Sequence, residues 1–234
     1  MQLNFTAIIQ DCFNFMRNQK QMTLFFIMLQ AIIAFTLRAL PLEPLMNEGN
    51  HLNPTQALIA VGGQIAVLLV TLWLLNAIMQ ISRTHHMNYA SAFVNSIKQL
   101  LPFLLLNFFV VLPFTLAILS LITGAGGILG LIAILLGGFM FVRLSLAPYA
   151  YVIDRTSLNT AMKRVWQQGS GRMSALFLFT IIAYILPSAV NLQLARLGDN
   201  AISVGITTII SSTVAVFTLI FTYRFYQHFM QRSA

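Results

Sequence analysis

The sequence predicts an all-α, polytopic membrane bundle of about six transmembrane helices, arranged as three hairpins with short cytoplasmic interfacial helices. Three observations carry this expectation. Hydrophobic residues make up 58% of the 234 positions and charged residues only 8%, against about 25% in a soluble domain. The few charges stand in clusters, separated by uncharged apolar stretches long enough to cross the hydrocarbon core of a bilayer. The net charge of +8 is spread along the chain in the manner of a basic membrane rim. No stretch is hydrophilic enough to form a soluble domain, so residues 1–234 read as a single integral membrane domain.

The elements follow in order. Residues 1–21 hold a segment, "QDCFNFMRNQKQ" at 10–21, that is too polar to span. At helical spacing Leu3, Phe5, Ile8, Ile9, Cys12, Phe13 and Met16 gather on one side, and Asn4, Asp11, Asn14 and Asn18 on the other. That is an amphipathic helix, lying either along the interface or against the spans. No cleavage pattern follows a short apolar core, so the first span is expected to act as the targeting signal. Spans are placed near 22–40, 56–82, 100–120, 128–142 or beyond, 173–191 and 201–223. Residues 99–142 carry no charge, and "TGAGG" (123–127) is where that run is expected to turn back.

The basic residues orient the bundle. With both termini inside, Arg17, Lys20, Arg83, Lys98, Arg143, Arg155, Lys163, Arg164, Arg172, Arg224 and Arg232 fall on the inner side, and Arg38 and Arg196 on the outer. Eleven against two sets both termini in the cytoplasm. The acids Glu43, Glu48 and Asp199 fall outside.

Segments like the opening one precede the other two hairpins: "NYASAFVNSIKQ" (88–99) and "SLNTAMKRVWQQ" (157–168). Aligning Ala7, Ala92 and Ala161 brings Ile8, Phe93 and Met162 into register, then Cys12, Ile97 and Trp166. The pattern predicts a threefold repeat of interfacial helix and transmembrane hairpin.

Two stretches carry a family resemblance. "DCFNFMRNQ", through Asp11, Asn14, Phe15, Arg17, Asn18 and Gln19, resembles the N-terminal signature of the YciC family of Gram-negative inner-membrane proteins. "LAPYAYVIDR" resembles the same family through Leu146, Ala147, Pro148, Val152, Asp154 and Arg155. The C-terminal "FTYRFYQ" is similar in style. Against the family pattern, Arg143 stands where an apolar residue is expected, and Arg164 where a small hydroxylated one is. The resemblance implies a multi-span inner-membrane protein and supplies no activity.

The inventory for catalysis is short. Five acids, Asp11, Glu43, Glu48, Asp154 and Asp199, lie outside the apolar cores, and Cys12 is the one cysteine. Adjacent His85 and His86 point in different directions on a helix. No phosphate loop and no metal-ligand spacing is present, so no catalytic residue, metal or cofactor is expected. Gln30, Gln64, Asn76, Gln80 and Asn107 are read as hydrogen-bonding glue between helices. Pro102, Pro113, Pro148 and Pro187 are positions where helices could break or kink.

The sequence therefore predicts a non-enzymatic inner-membrane protein engaging phospholipid at its cytoplasmic face, in envelope or lipid homeostasis. The headgroup residues are Arg143, Arg155, Lys163 and Arg164, and the interfacial motif is Asp11, Asn14, Phe15 and Arg17. Expected partners are membrane phospholipid and a second inner-membrane protein; nucleic acid is not expected. The alternative is a small transporter or channel with a polar pathway through Gln64, Asn76 and Asn107. Arg143 is the residue on which the readings divide. It meets a headgroup, pairs with Asp11 or Asp154, or snorkels to the rim after a helix ended by Pro148.

Overall fold

The structure, a computed structural model, describes residues 4–39, 53–122, 127–197 and 200–231, and among them every regular element is helical. Leu40, Glu43, Glu48, Asp199, Arg232 and the expected turn up to Gly126 lie outside the described residues. Six segments are long and apolar enough to cross a membrane: Lys20–Arg38, Pro54–Thr84, Tyr89–Ile122, Gly127–Asp154, Met173–Leu197 and Ile202–Met230. The protein is a multi-pass helical membrane bundle.

Helix α1 (Phe5–Asn18) is started by Asn4, whose side chain accepts from the Ala7 N–H. It ends at Gln19, where φ −111° and ψ 47° break the helical path, and α2 (Lys20–Ala39) follows at once. The buried face of α1 is Ile8, Cys12 and Phe15, one residue per turn, set against the last of the spanning helices. Of the two placements expected for this helix, the structure has it packed on the spans. Phe13 points outward, 60% exposed, with its ring 5.1 Å from Phe217.

α3 (Pro54–Thr84) and α4 (Tyr89–Ile122) form the next hairpin, and α3 closes at His85 in the left-handed region, φ 57°. Here one expectation is corrected. Residues 88–99 do not form a separate interfacial helix; they are the first turns of α4, which runs through Pro102 and Pro113 without interruption. The reason is lateral support. Asn76 Nδ2 lies within bonding distance of Ser96 Oγ (3.1 Å) and Gln99 Oε1 (3.0 Å), and Gln80 donates to Ser91 Oγ (2.9 Å). These amides tie the opening turns of α4 to α3, so they have no reason to swing into the interface.

α5 (Gly127–Leu144) returns along α4. Gly137 makes that approach possible, because a Cβ there would come within 2.9 Å of the Pro113 carbonyl oxygen. The fourth span is longer than expected and broken: after Leu144 a turn at Ser145 and Leu146 leads into α6 (Ala147–Asp154), with Pro148 in its first turn. Arg155, at φ 53°, ends α6 in the left-handed region. Ser157 then caps α7 (Leu158–Gln168) by accepting from the Thr160 N–H.

The fifth span is built from α8 (Met173–Thr180), a π turn (Ile181–Ile185), α9 (Leu186–Leu194) and a 3-10 turn (Ala195–Leu197). α10 (Ala201–Gln231) is the sixth. Its 31 residues amount to roughly 46 Å at 1.5 Å per residue, well beyond a hydrocarbon core of about 30 Å. The sixth span expected at 201–223 therefore continues for two further turns.

Those extra turns belong to the core. Fully buried residues concentrate at one end of the bundle, in 70–81 of α3, 144–153 around α6 and 216–230 of α10, together with the α1 face. Phe179, Phe221, Phe225 and Phe229 stack there, with Phe179 and Phe225 at 4.7 Å and Phe225 and Phe229 at 5.5 Å. The opposite half presents Leu58, Val61, Leu116, Ile128, Leu135 and Ile202 outward, as helices bathed in lipid do. The dense end is also the end that carries α1, α7 and most of the arginines, Arg38 and Arg196 lying at the other end.

Candidate functional site: the basic end of the bundle

α10 is the axis of this end, and two of its side chains collect the segments around it. Arg224 places Nε 3.2 Å from Asp11 Oδ2 on α1 and its guanidinium carbon 5.2 Å from the Phe15 ring centre. The Nε–Asp11 contact is poorly aligned for a hydrogen bond, so it is an ion pair held mainly by charge and by the aromatic face. Two residues on, Tyr226 donates to Asp154 Oδ2 at the end of α6. Arg164 of α7 reaches the same oxygen at 2.6 Å. Asp154 thus joins α6, α7 and α10 through one carboxylate.

Backbone carbonyls left open at helix ends are taken up by further arginines. Arg83, in the last turn of α3, donates to the Ile153 carbonyl at 2.8 Å. Arg172, just before α8, donates to the Phe229 carbonyl at 3.1 Å and lies over the Phe229 ring. Each guanidinium meets a helix C-terminus, where the partial negative charge of the unsatisfied carbonyls favours a cation.

Arg143 sits in the last turn of α5 and is clamped onto α7. Its Nη2 donates to the Trp166 carbonyl at 2.9 Å, and its guanidinium carbon is 4.6 Å from the Trp166 ring centre and 5.9 Å from that of Phe139. Its Nε is buried without a hydrogen-bond partner among the described residues. The expected ion pair with Asp11 or Asp154 is not what forms, because those carboxylates face Arg224 and Arg164. Free snorkelling is not what forms either. The expectation that Pro148 shortens the α5 helix holds in effect, the break falling at Ser145 and Leu146.

The four residues singled out as headgroup ligands therefore divide. Arg143 and Arg164 are engaged within the protein, while Arg155, just before α7, and Lys163, midway along it, are exposed. In the interfacial motif, Asp11 and Phe15 both meet Arg224, whereas Asn14 and Arg17 are exposed and bond each other at 3.5 Å. Both carboxylates among the described residues are paired with arginine, so the exposed cations Arg17, Lys20, Lys98, Arg155 and Lys163 face the surroundings without a carboxylate partner among them.

Cys12 is fully buried between α1 and α10. Burial first, and then the neighbouring Asp11 charge, push its thiol up to about 12. A thiol in that state is an inert hydrophobe rather than a nucleophile.

The amides expected to line a polar pathway are also separated. Gln64 and Asn107 border a lateral groove of about 790 Å³ between α2, α3 and α4, whose other walls are almost wholly apolar. Asn76 lies elsewhere, buried and bonded to α4.

Sequence reading grouped Arg172 with Arg155, Lys163 and Arg164 as a cytoplasmic charge cluster, counted Arg83 on the inner rim and quoted the stretch that holds Tyr226, but gave none of the three the partner it has here. The available signal was "YRFYQ" (223–227), a polar-aromatic run continuing the apolar period of the last span without a break.

An uncharacterized protein of Haemophilus influenzae is 29% identical to this chain over 244 aligned residues, covering 99% of this chain and 100% of the relative. No family model matches the sequence, and no solved structure matches it. The alignment covers nearly the whole of both chains.

Proposed function

We propose that this is a non-enzymatic bacterial inner-membrane protein of the YciC type, with both termini in the cytoplasm, that concentrates anionic phospholipid around its basic end. The observation that carries this reading is the division of charge. The acids of the basic end are neutralised internally, so the exposed cations form a rim of one sign. Each such cation at a membrane surface attracts anionic lipid by about 1 kcal/mol, and three or four acting together give strong local enrichment. α7 suits the role because Ala161 and Val165 anchor it, Trp166 is partly exposed, and Lys163 projects outward. The side chains beneath this end are densely packed, which lowers the ordering cost of holding a headgroup.

The test is electron spin resonance of spin-labelled lipids around the protein in mixed bilayers. Phosphatidylglycerol is expected to be motionally restricted severalfold more than phosphatidylcholine, with the preference screened by salt. Arg155→Gln together with Lys163→Gln should remove about half of it. Equal restriction of the two lipids in the native protein excludes the proposal.

A further inference from the structure

Two spanning segments of this bundle are interrupted, and the interruptions touch. The fourth is broken at Ser145 and Leu146, and the fifth passes through the π turn Ile181–Ile185. Pro187 accounts for the second: it has no N–H for the Ala183 carbonyl four residues earlier, and its ring would crowd that carbonyl in a regular helix. Tyr184, inside the π turn, donates its hydroxyl to the Ser145 carbonyl at 3.3 Å.

Beside this junction lies a cavity of about 220 Å³, where α2, α3, α6, the π turn with α9, and α10 converge. Its walls include Gln30, Thr71, Tyr149 and Thr218, with Ala183 and Pro187 from the interrupted helix. Gln30 is midway along α2 and Ala183 midway along the fifth span, so the cavity is near the middle of the bilayer. The Gln30 carboxamide and the Thr218 hydroxyl have no hydrogen-bond partner among the described residues. The Thr71 hydroxyl donates to the Val67 carbonyl at 2.8 Å and keeps its lone pairs. Polar groups at that depth require a polar occupant.

We propose that this cavity binds a partly hydrated monovalent cation, with the Gln30 carbonyl and the hydroxyl oxygens of Thr71, Tyr149 and Thr218 as its ligands. The lining offers hard, neutral oxygen donors and no charged side chain. A divalent ion would remain uncompensated there, whereas interrupted helices in membranes bring hydroxyl and carbonyl oxygens to alkali ions. The volume is below the roughly 300 Å³ at which organic-ligand pockets begin, and at about 30 Å³ per water it suits an ion with a few waters. This site is independent of the lipid rim at the basic end.

The experiment measures thermal unfolding of the purified protein at constant ionic strength while choline chloride is replaced by sodium or potassium chloride. A saturable rise in midpoint with one of the two ions is expected. Thr218→Val, nearly isosteric, and Gln30→Leu should each weaken the apparent affinity tenfold or more, while Ser170→Ala, exposed and remote from the cavity lining, leaves it unchanged. Identical midpoints in choline, sodium and potassium would mean that the cavity holds water alone and would overturn the proposal. A saturable response that survives in Thr218→Val and Gln30→Leu places the ion elsewhere and overturns it equally.

Discussion

Tyr226 donates to Asp154 across 72 residues of sequence, and Arg164 meets the same carboxylate oxygen from α7. The carboxylate is one-fifth exposed and the arginine 44%, so the two partners are unequal. A phenol held at a largely buried acceptor contributes more than a guanidinium screened by water. Tyr226→Phe is expected to lower unfolding stability by about 1–2 kcal/mol, and Arg164→Gln by less than about 1 kcal/mol. Asp154→Asn should cost at least as much as Tyr226→Phe. Thermal unfolding in mild detergent reads all three. A larger loss for Arg164→Gln than for Tyr226→Phe would show that charge, not the buried hydrogen bond, holds α6 to α10.

The attachment of α1 is decided the same way. Asp11 is 46% exposed, which limits its pair with Arg224 to below about 1 kcal/mol. Phe15 is buried against α10, and Phe15→Ala is expected to cost about 3 kcal/mol. Cys12 reports the outcome. Maleimide labelling of Cys12 should rise in Phe15→Ala and stay near the native rate in Asp11→Asn.

Cys12 also gives a pH dependence with a definite sign. Its thiol rises from 9.0 in an unfolded chain to about 12 in the folded one. Below pH 9 it is neutral in both states and leaves stability unchanged. Above that the unfolded chain ionises first, so stability falls as pH climbs from 9 towards 12. Cys12→Ser is expected to flatten that alkaline decline, measured as the unfolding midpoint at pH 8 and pH 10.

Composition and the spacing of charges made the six spans legible, since bilayer thickness imposes both. The prolines show where legibility stops. All four were candidate breaks, yet α4 runs through Pro102 and Pro113 while the chain departs from regular helix beside Pro148 and Pro187. Whether a proline interrupts a membrane helix depends on what its neighbours supply to the freed carbonyl, which a local pattern does not contain. The motif pairs Asp11 and Arg224, or Asp154 and Tyr226, were recognisable as motif members but not as partners. Asp11 and Arg224 stand near opposite ends of the chain and Asp154 and Tyr226 are 72 residues apart, so the topology that joins each pair is tertiary.

Adjacent glycines on α5 make a sharp contrast. A Cβ on Gly137 would come 2.9 Å from the Pro113 carbonyl oxygen, but one on Gly138 would come no nearer than 3.8 Å to the Phe114 ring. Gly137→Ala must push α4 and α5 apart and is expected to cost about 1–3 kcal/mol. Gly138→Ala fits and should stabilise by about 0.5–1 kcal/mol, as replacement of a helical glycine does. Unfolding of the two variants side by side decides it, and similar effects would refute the close approach of α5 to α4.

Arg143 separates a positioning role from a binding role. Its guanidinium lies over Trp166 at 4.6 Å and donates to the Trp166 carbonyl, so it fixes the last turn of α7, the turn after Lys163. Arg143→Gln removes the ring contact, which is worth about 0.5–2 kcal/mol, and frees α7 to shift. Stability and selectivity for phosphatidylglycerol are then expected to fall together, with a change in emission from Trp166 measured in a Trp73→Phe background. Lys163→Gln, which touches no such contact, should lower selectivity while leaving stability and emission unchanged. Arg143→Lys keeps the charge but not the planar stack. If charge at this position binds the lipid directly, the lysine restores selectivity without restoring stability; if Arg143 acts by holding α7, both remain reduced. Restored selectivity with an unrestored fold would assign Arg143 to the headgroup itself.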